Sequence, residues 1–176
     1  MLPDVLAPGL DLVFCGTAPS PASFRAGAYY ANRGNAFWPT LHAVGLLPAP
    51  LAAAAFRDVL AHGLGLTDLA KTEYGSDHEL SPDAFDRAAL LRKLARFRPA
   101  AVAFTSKNAA AAFLGARAVG YGRQPAEMAA ALPPAARGIA YFALSSPSGR
   151  ARSFWTLDPW REAAAFVAAR RAARAA

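Results

Sequence analysis

The chain has 176 residues, 55% of them hydrophobic, and a formal net charge of +7 at pH 7. This length and composition predict one folded domain, residues 1–176, and exclude a disordered chain. No apolar run approaches the roughly 20 residues that cross a bilayer, and the first residues lack the basic and apolar regions of a secretion signal. We therefore expect a cytoplasmic monomer that does not contact a membrane.

The charge is distributed unevenly along the chain. Up to Asp86 there are four Lys/Arg and nine Asp/Glu, whereas from Arg87 onward there are fifteen Lys/Arg and three Asp/Glu. A strongly basic half indicates a polyanionic partner such as nucleic acid, although arginines solvated on helix faces would give the same count. One cysteine, Cys15, and three histidines without ligand spacing predict no disulfide, no metal and no cofactor.

The first half of the chain predicts two strands and two helices. The apolar run 11–16 predicts the first strand, which opens into a Pro- and Ser-containing loop. A helix is expected at 35–44, with Asn35 as its N-cap and Gly45 ending it, and a second helix at 51–62, stopped by Gly63. Residues 64–69 predict the second strand, which ends near Thr67 and Asp68.

The second half continues the alternation. Ser81-Pro-Asp-Ala84 predicts the start of a helix that closes at Arg98-Pro99, and residues 100–104 predict a buried strand followed by an alanine-rich helix after Lys107. Residues 115–134 predict an irregular surface connection. The last strand is expected at 138–144, and a C-terminal helix at 158–172 is expected with Asp158 as its cap.

Strands that alternate with helices predict an α/β fold, a three-layer α/β/α sandwich around a short, mainly parallel four-stranded sheet. Parallel strands end at a common edge, where open α/β sheets bind their ligands. The strand-end loops 16–30, 67–74 and 145–152 should therefore share one edge, and we expect the functional site there.

Several motifs fall in or beside these loops. They are Gly16-Thr-Ala-Pro-Ser20, Tyr30, Asn35-Ala-Phe-Trp38, Gly65-Leu-Thr-Asp68, Ser106-Lys107 and Ser146-Pro-Ser-Gly149. In this order and spacing, over most of residues 11–160, the chain resembles the uracil-DNA glycosylase superfamily, and most closely its mismatch-specific uracil/thymine branch. The resemblance implies an enzyme that hydrolyses the N-glycosidic bond of uracil in DNA after the nucleotide leaves the stack and enters a pocket.

The resemblance also implies a role for each matched residue. Tyr30 would stack on the extruded base, with the adjoining Tyr29 as the alternative ring or Tyr30 itself as a core residue. The backbone of Thr17 and Ala18 would contact the base, and Phe37 and Trp38 are expected in the core. Contacts with DNA are implied for Ser106, Lys107, Ser148, Gly149, Arg150 and Arg152, with Arg150 or Arg152 as the wedge that fills the gap in the duplex.

Two departures from the family pattern concern catalysis. Ala18 stands where the family has a catalytic Asn or Asp, and a methyl group cannot activate water. Ser146 stands where the second loop has Asn or His. Asp68 is the candidate replacement, as an acceptor for the N3 proton of uracil or as the group that orients water, although an Asp here could also be a helix cap or an ion-pair partner.

Other functions stay open. Backbone amides alone could stabilise a departing base without a general base. The substrate could be hypoxanthine or xanthine in DNA, and the loss of both family side chains, at Ala18 and Ser146, is also compatible with a non-catalytic protein that binds damaged or abasic DNA. A nucleotide-metabolising α/β enzyme would match the fold but not the basic second half.

Overall fold

The sheet has five strands in the order β2-β1-β3-β5-β4 in a computed structural model that describes residues 1–76, 79–81 and 83–176. The strands, in chain order, are β1 (Leu12–Gly16), β2 (Leu64–Asp68), β3 (Ala101–Phe104), β4 (Gly122–Arg123) and β5 (Ala140–Ala143). Neighbouring strands are parallel except for β4, which pairs antiparallel with β5. The predicted mainly parallel α/β sheet is confirmed.

Six α-helices and three 3-10 segments flank the sheet in the described part of the chain. The α-helices are α1 (Pro21–Ala26), α2 (Phe37–Ala43), α3 (Arg87–Phe97), α4 (Lys107–Leu114), α5 (Ala126–Ala130) and α6 (Asp158–Ala175). The 3-10 segments are Ala53–His62, Pro134–Ala136 and Gly149–Phe154. None of the helices at described positions is both long and apolar enough to span a membrane.

The sheet is buried on both faces because alternate residues of each strand face two separate cores. Leu12 and Phe14 of β1 belong to one core, which includes the side chains of α2 and α6. Cys15 belongs to the other core, with the apolar side chains of α3 and α4. A strand that buries both faces has a continuous apolar sequence rather than an alternating one, as β1 does. The result is the expected three-layer sandwich.

Several short elements were absent from the sequence-based prediction, among them α5, which lies within the predicted irregular segment 115–134, and the 3-10 segments Pro134–Ala136 and Gly149–Phe154. The predicted irregular segment 115–134 contains β4, and because a two-residue strand is too short for a periodic pattern, the sheet has five strands rather than four. The predicted loop 16–30 contains α1, which begins after Ser20, whose hydroxyl accepts a hydrogen bond from the Ser23 amide, and ends at Gly27 in the left-handed conformation. The sequence did contain the two signals for α1, a serine cap before Pro21 and a glycine after the helix.

Four helix predictions also need correction. Asn35 is not the N-cap of α2, which begins after Ala36, although Asn35 Oδ1 accepts a hydrogen bond from the Phe37 amide at 2.9 Å. The predicted helix at 51–62 is a 3-10 segment interrupted at Ala55. Asp158 is not the cap of α6, because it lies in the first turn after Leu157. The predicted start at Ser81-Pro-Asp-Ala84 includes Pro82, which lies outside the described residues.

The helix in question, α3, begins at Arg87, where the Asp86 side chain accepts a hydrogen bond from the Ala89 amide. Phe85, two residues before it, is not helical and forms an isolated antiparallel bridge with Ala70.

A cluster of arginines ties α6 to the edge of the sheet opposite the strand-end loops. Asp11 precedes β1, and its side chain is only 5% exposed. Its carboxylate accepts hydrogen bonds from Arg171 Nε at 3.0 Å and Arg174 Nη2 at 2.5 Å, and Arg170 Nε lies 3.7 Å away. One buried carboxylate therefore holds three basic side chains of the last helix.

Asp11→Asn is expected to lower the free energy of unfolding by about 1–3 kcal/mol, because hydrogen bonds to charged groups contribute that much and three guanidinium groups would lose their counter-charge. Asp158→Asn is the control, since Asp158 is 85% exposed and its ion pair with Arg161 should contribute less than about 1 kcal/mol. Urea unfolding at pH 7 measures both. Equal losses in the two variants would contradict a stabilising role for Asp11.

Candidate active site at the carboxyl edge of the sheet

The loops that follow β1, β2 and β5 meet at one edge of the sheet, as predicted. The Gly75 amide donates to the Pro19 carbonyl at 2.9 Å, which joins the β2 loop to the β1 loop. The Ala36 amide donates to the Pro147 carbonyl at 2.8 Å, which joins the segment before α2 to the β5 loop. The candidate residues of these loops are thus carried by a connected rim.

Asp68 is the last residue of β2, and it lies beside Gly16 in the register of the parallel β1–β2 pair. Asp68 is 3% exposed. A Cβ atom at Gly16 would overlap Asp68 Oδ1 and would lie 3.3 Å from Tyr30 Oη. Glycine at position 16 therefore leaves the space in which the Asp68 carboxyl and the Tyr30 hydroxyl approach each other.

The Asp68 carboxyl group is only partly satisfied. Its Oδ2 atom is buried and has no hydrogen-bond partner among the described residues. The pKa of Asp68 is raised to about 7, chiefly by burial and also by the charge of Asp4, whereas the charges of Lys71 and Lys93 and the Tyr29 hydroxyl act in the opposite direction. A buried acid that changes protonation state near pH 7 and has a free oxygen is typical of a functional site.

Tyr30 lies beside this carboxyl group in an unusual backbone conformation. Its φ is +53°, in the left-handed region that non-glycine residues rarely adopt. The ring stacks on Phe37 with centroids 3.8 Å apart, and the hydroxyl lies 3.3 Å from Thr105 Oγ1. Burial and the nearby Asp68 raise the pKa of Tyr30, so its hydroxyl stays protonated.

Side-chain hydrogen bonds on both sides of Tyr30 hold the strained segment. The Ala31 amide donates to Ser23 Oγ at 3.1 Å, and Trp38 Nε1 donates to the Tyr29 carbonyl at 3.0 Å. Tyr29 is 2% exposed, whereas Tyr30 is half-buried. Strained residues held in this way are concentrated at functional sites, and of the two tyrosines Tyr30 is the more exposed.

The β1 loop also contacts the start of α4. Thr17 Oγ1 lies 3.1 Å from Ser106 Oγ, and Ser106 caps α4 by accepting from the Ala109 amide. The next residue, Lys107, is exposed, and its Nζ lies 3.9 Å above the ring of Tyr121. The structure thus brings Thr17 and Ser106 together beside the Asp68 site.

Ala18 and Ser146 offer little polar chemistry at this edge. Ala18 is half-buried and has only a methyl group. Ser146 Oγ accepts from the Ser148 amide within its own loop at 3.3 Å. The geometry therefore leaves Asp68 as the ionisable candidate among the three residues predicted to be catalytic.

The β5 loop presents its arginines at the outer side of the rim. Arg150 is exposed, and its Nη1 donates to Ser76 Oγ of the β2 loop at 2.9 Å. Arg152 lines a cavity of about 340 Å³ together with Trp155 and Gly34. Gly149 packs closely there, because a Cβ atom at this position would lie 3.3 Å from the Gly34 carbonyl oxygen.

Thr105 and Lys71 belong to the site but were not predicted from the sequence. Thr105 contacts Tyr30, and Lys71 Nζ donates to the Tyr29 hydroxyl at 3.2 Å, directly behind Asp68. Lys71 is one of only four Lys/Arg in the acidic first half, and this isolation was the available signal.

The raised pKa of Asp68 predicts a pH-dependent effect on stability. The folded state binds the proton up to about pH 7 and the unfolded chain only up to about 3.8, so the stability associated with this group is present at low pH and is lost as the pH rises toward 7. Asp68→Asn removes the buried charge. We compare the melting temperature of Asp68→Asn with that of the wild type at two pH values. The difference in favour of the variant should be larger at pH 8 than at pH 4, by on the order of 5–10 °C.

Calorimetry at the two pH values measures this difference. The exposed Asp58, in the 3-10 segment before β2, provides the control Asp58→Asn, for which the difference from the wild type should not vary with pH. A constant difference for Asp68→Asn as well would show that the Asp68 carboxyl titrates normally.

Comparison with known proteins assigns the chain to a family. The family model described as the uracil DNA glycosylase superfamily matches residues 3–170. The fold is also similar to the solution NMR structure of a protein from Methanosarcina acetivorans, provisionally named a uracil DNA glycosylase, with a TM-score of 0.62, 21% identity and coverage of 94% of each chain. The match over nearly the whole length shows that this chain belongs to the uracil DNA glycosylase superfamily.

Proposed function

We propose that the protein removes uracil from DNA by hydrolysing the N-glycosidic bond, with Asp68 and Tyr30 in the base pocket. The observation that carries the proposal is the free, buried Oδ2 of Asp68 beside Gly16 and Tyr30, at the strand edge of a superfamily member. Water adds to C1′ of the sugar as the bond to N1 breaks. The products are free uracil and an abasic site.

The Asp68 carboxylate would distinguish uracil from cytosine by the hydrogen-bonding group at N3 of the base. Cytosine has a hydrogen-bond acceptor at N3, whereas uracil has an N3–H donor. An ionised Asp68 accepts that hydrogen, and a ring acceptor placed against the carboxylate would be repelled. Thymine has the same N3–H, so Asp68 by itself does not distinguish uracil from thymine.

Tyr30 would supply the stacking surface. Phe37 supports one face of its ring at 3.8 Å, and the base would stack on the opposite face. Stacking of a base on an aromatic side chain contributes about 1–3 kcal/mol. A ring held rigidly by Phe37 and Thr105 loses little freedom when the base binds.

Bond cleavage would depend on charge stabilisation rather than on a strong base. Uracil leaves with its electron pair as an anion, and the sugar becomes an oxocarbenium-like cation. The backbone amides of Thr17 and Ala18 would donate to the carbonyl oxygens of the departing base. The Asp68 carboxylate, if it faces the sugar, would stabilise the cation and orient the attacking water.

The β5 loop and α4 would hold the DNA. Ser148, Gly149, Ser106 and Lys107 would contact phosphates, and Arg150 or Arg152 would enter the gap left by the flipped nucleotide. The basic second half of the chain supports a DNA partner.

Two alternatives have specific support. Hypoxanthine and xanthine also carry a ring N–H where deamination has occurred, so Asp68 suits them as well. The absence of a polar side chain at Ala18, together with Ser146 occupied within its own loop, supports a non-catalytic binder of damaged DNA. Measurement of released base separates these functions.

Asp68→Ala is expected to reduce single-turnover release of uracil from a duplex at least about 100-fold, because it removes the carboxylate that contacts base or sugar. Asp58→Ala is the matched control and should retain the wild-type rate. Asp68→Asn keeps an acceptor oxygen but no longer titrates. The wild-type rate should therefore rise with pH through about 7, and the rate of Asp68→Asn should not.

The assay uses duplexes that contain uracil, hypoxanthine or xanthine, with alkaline cleavage of the abasic product and detection of the free base. Tight binding without release of any of these bases would favour the binder. Full activity of Asp68→Ala would show that Asp68 does not replace the family residue absent at position 18.

Arg150→Ala is expected to weaken binding to uracil-containing duplex about tenfold and binding to the same single strand much less, because a wedge is needed only where a base leaves a duplex. Arg57→Ala is the control, since Arg57 lies over Phe56 in the 3-10 segment before β2. Fluorescence anisotropy at a fixed salt concentration measures both. Equal losses on duplex and single strand would make Arg150 a phosphate contact only.

A further inference from the structure

Two exposed aromatic side chains lie next to each other between the β5 loop and α4, and the proposed base pocket does not use them. Phe154 ends the 3-10 segment Gly149–Phe154 and is 71% exposed, the largest value among the described aromatic residues. Tyr121, just before β4, is 39% exposed, and its hydroxyl lies 3.4 Å from the Phe154 carbonyl oxygen. Single apolar side chains are ordinary on a protein surface, but adjacent ones beside charged groups are typical of binding surfaces.

A lysine extends this surface to the start of α4. Lys107 Nζ lies 3.9 Å above the centroid of the Tyr121 ring, where the negative face of the ring attracts a cation. Lys107 follows Ser106, whose hydroxyl lies 3.1 Å from Thr17 Oγ1 of the β1 loop. Lys107, Tyr121 and Phe154 thus form one continuous surface, the aromatic–basic patch, which begins beside the Asp68 site.

The charges around the patch favour an anionic ligand. None of the ion pairs at described positions involves Lys107, Arg150 or Arg152. The acidic residue at β4, Glu162, has a carboxylate oxygen that accepts from the Arg123 amide at 3.0 Å. Three cations without a carboxylate partner attract a polyanion to this side of the rim.

The backbone that carries Phe154 is held in place although its ring is exposed. The Trp155 amide donates to the Arg152 carbonyl at 3.2 Å, and the Trp155 ring packs on Trp160 of α6 with centroids 5.7 Å apart. Ser145 Oγ donates to the Thr156 carbonyl at 2.6 Å. An exposed ring on a held backbone loses little freedom when it binds a ligand.

An unpaired nucleotide has the two features that this patch would recognise. Its base offers a flat apolar face, and its phosphate offers a negative charge. In a duplex the faces of a base are covered by the stacked neighbours, so a ring on the protein surface reaches a free face only in a single strand. Proteins that bind single strands combine aromatic side chains with cationic groups for this reason.

We propose that Lys107, Tyr121 and Phe154 form a binding site for an unpaired nucleotide of single-stranded DNA, outside the base pocket. Phe154 stacks on the base, and Lys107, held over Tyr121, contacts a phosphate. This inference rests on the DNA partner of the proposed function but not on the release of a base. The protein would therefore bind a single strand that contains no damaged nucleotide.

The test is fluorescence anisotropy of the full chain with a labelled oligothymidine that lacks uracil, and with an undamaged duplex of the same length. Phe154→Ala is expected to weaken binding to the single strand about tenfold, because one stacked base contributes on that order, and to leave the duplex affinity unchanged. Phe154→Trp should retain the wild-type affinity. Phe154→Leu keeps an apolar side chain without an aromatic face, and it should lose affinity as Phe154→Ala does.

Lys107→Gln tests the phosphate contact separately. It should weaken binding to the single strand and reduce the slope of log K against log salt concentration by about 0.7, the value for one phosphate on a single strand. Phe154→Ala should lower the affinity without changing this slope, because stacking releases no counterion.

Leu60→Ala is the control. Leu60 is also exposed, at 38%, but it lies in the 3-10 segment Ala53–His62, at the end of the sheet where the Asp11 amide donates to the Gly63 carbonyl. Its affinity for both DNAs should equal that of the wild type. Because both side chains are exposed, the Phe154 and Leu60 variants should melt at the wild-type temperature, which calorimetry checks.

The outcomes separate this inference from the proposed function. Unchanged binding of the single strand by Phe154→Ala, an equal loss on the duplex, or full affinity of Phe154→Leu would overturn it, whether or not the wild type releases uracil. A dimer in sedimentation velocity that Phe154→Ala abolishes without a change in DNA affinity would assign the ring to self-association instead. Weaker binding of the single strand alone, without release of any base by the wild type, would support the inference and reject the proposed function.

Discussion

The interaction on which the site depends is that of one buried carboxyl group with an incomplete set of partners. Asp68 lies at the end of a central parallel strand, where water cannot solvate it fully, and its pKa is near 7 as a result. Gly16 makes room for it, and its Oδ2 atom has no hydrogen-bond partner among the described residues. A buried acid of this kind destabilises the folded state, and such groups are concentrated at functional sites.

The surrounding fold supplies rigidity rather than chemistry. Both faces of the sheet are covered, so Gly16, Asp68 and Thr105 are fixed by strand register and by packing. Tyr30 keeps its left-handed conformation because Phe37 and Thr105 hold its ring. The loops that would contact DNA are joined to one another by hydrogen bonds, so they form a continuous surface around the acid.

The sequence predicted the sheet, its common edge and the nearness of Tyr30 to Asp68, because buried parallel strands leave continuous apolar runs and their ends must meet. It did not predict β4, which is two residues long, or the start of α3, which depends on a bridge between Phe85 and Ala70. The contacts of Lys71 with Leu2 and Asp4 join positions nearly seventy residues apart. No local pattern encodes such a pairing, and so these contacts could not be predicted.

The position of the N-terminal segment has a practical consequence for work with this protein. Val5 forms a bridge with Leu66 of β2, and Leu2 and Asp4 provide two of the three acceptors of Lys71. Proteolytic loss of the first few residues would remove these contacts and alter the surroundings of Asp68 while leaving most of the two cores intact. A preparation trimmed in this way would look well folded and still misreport the chemistry.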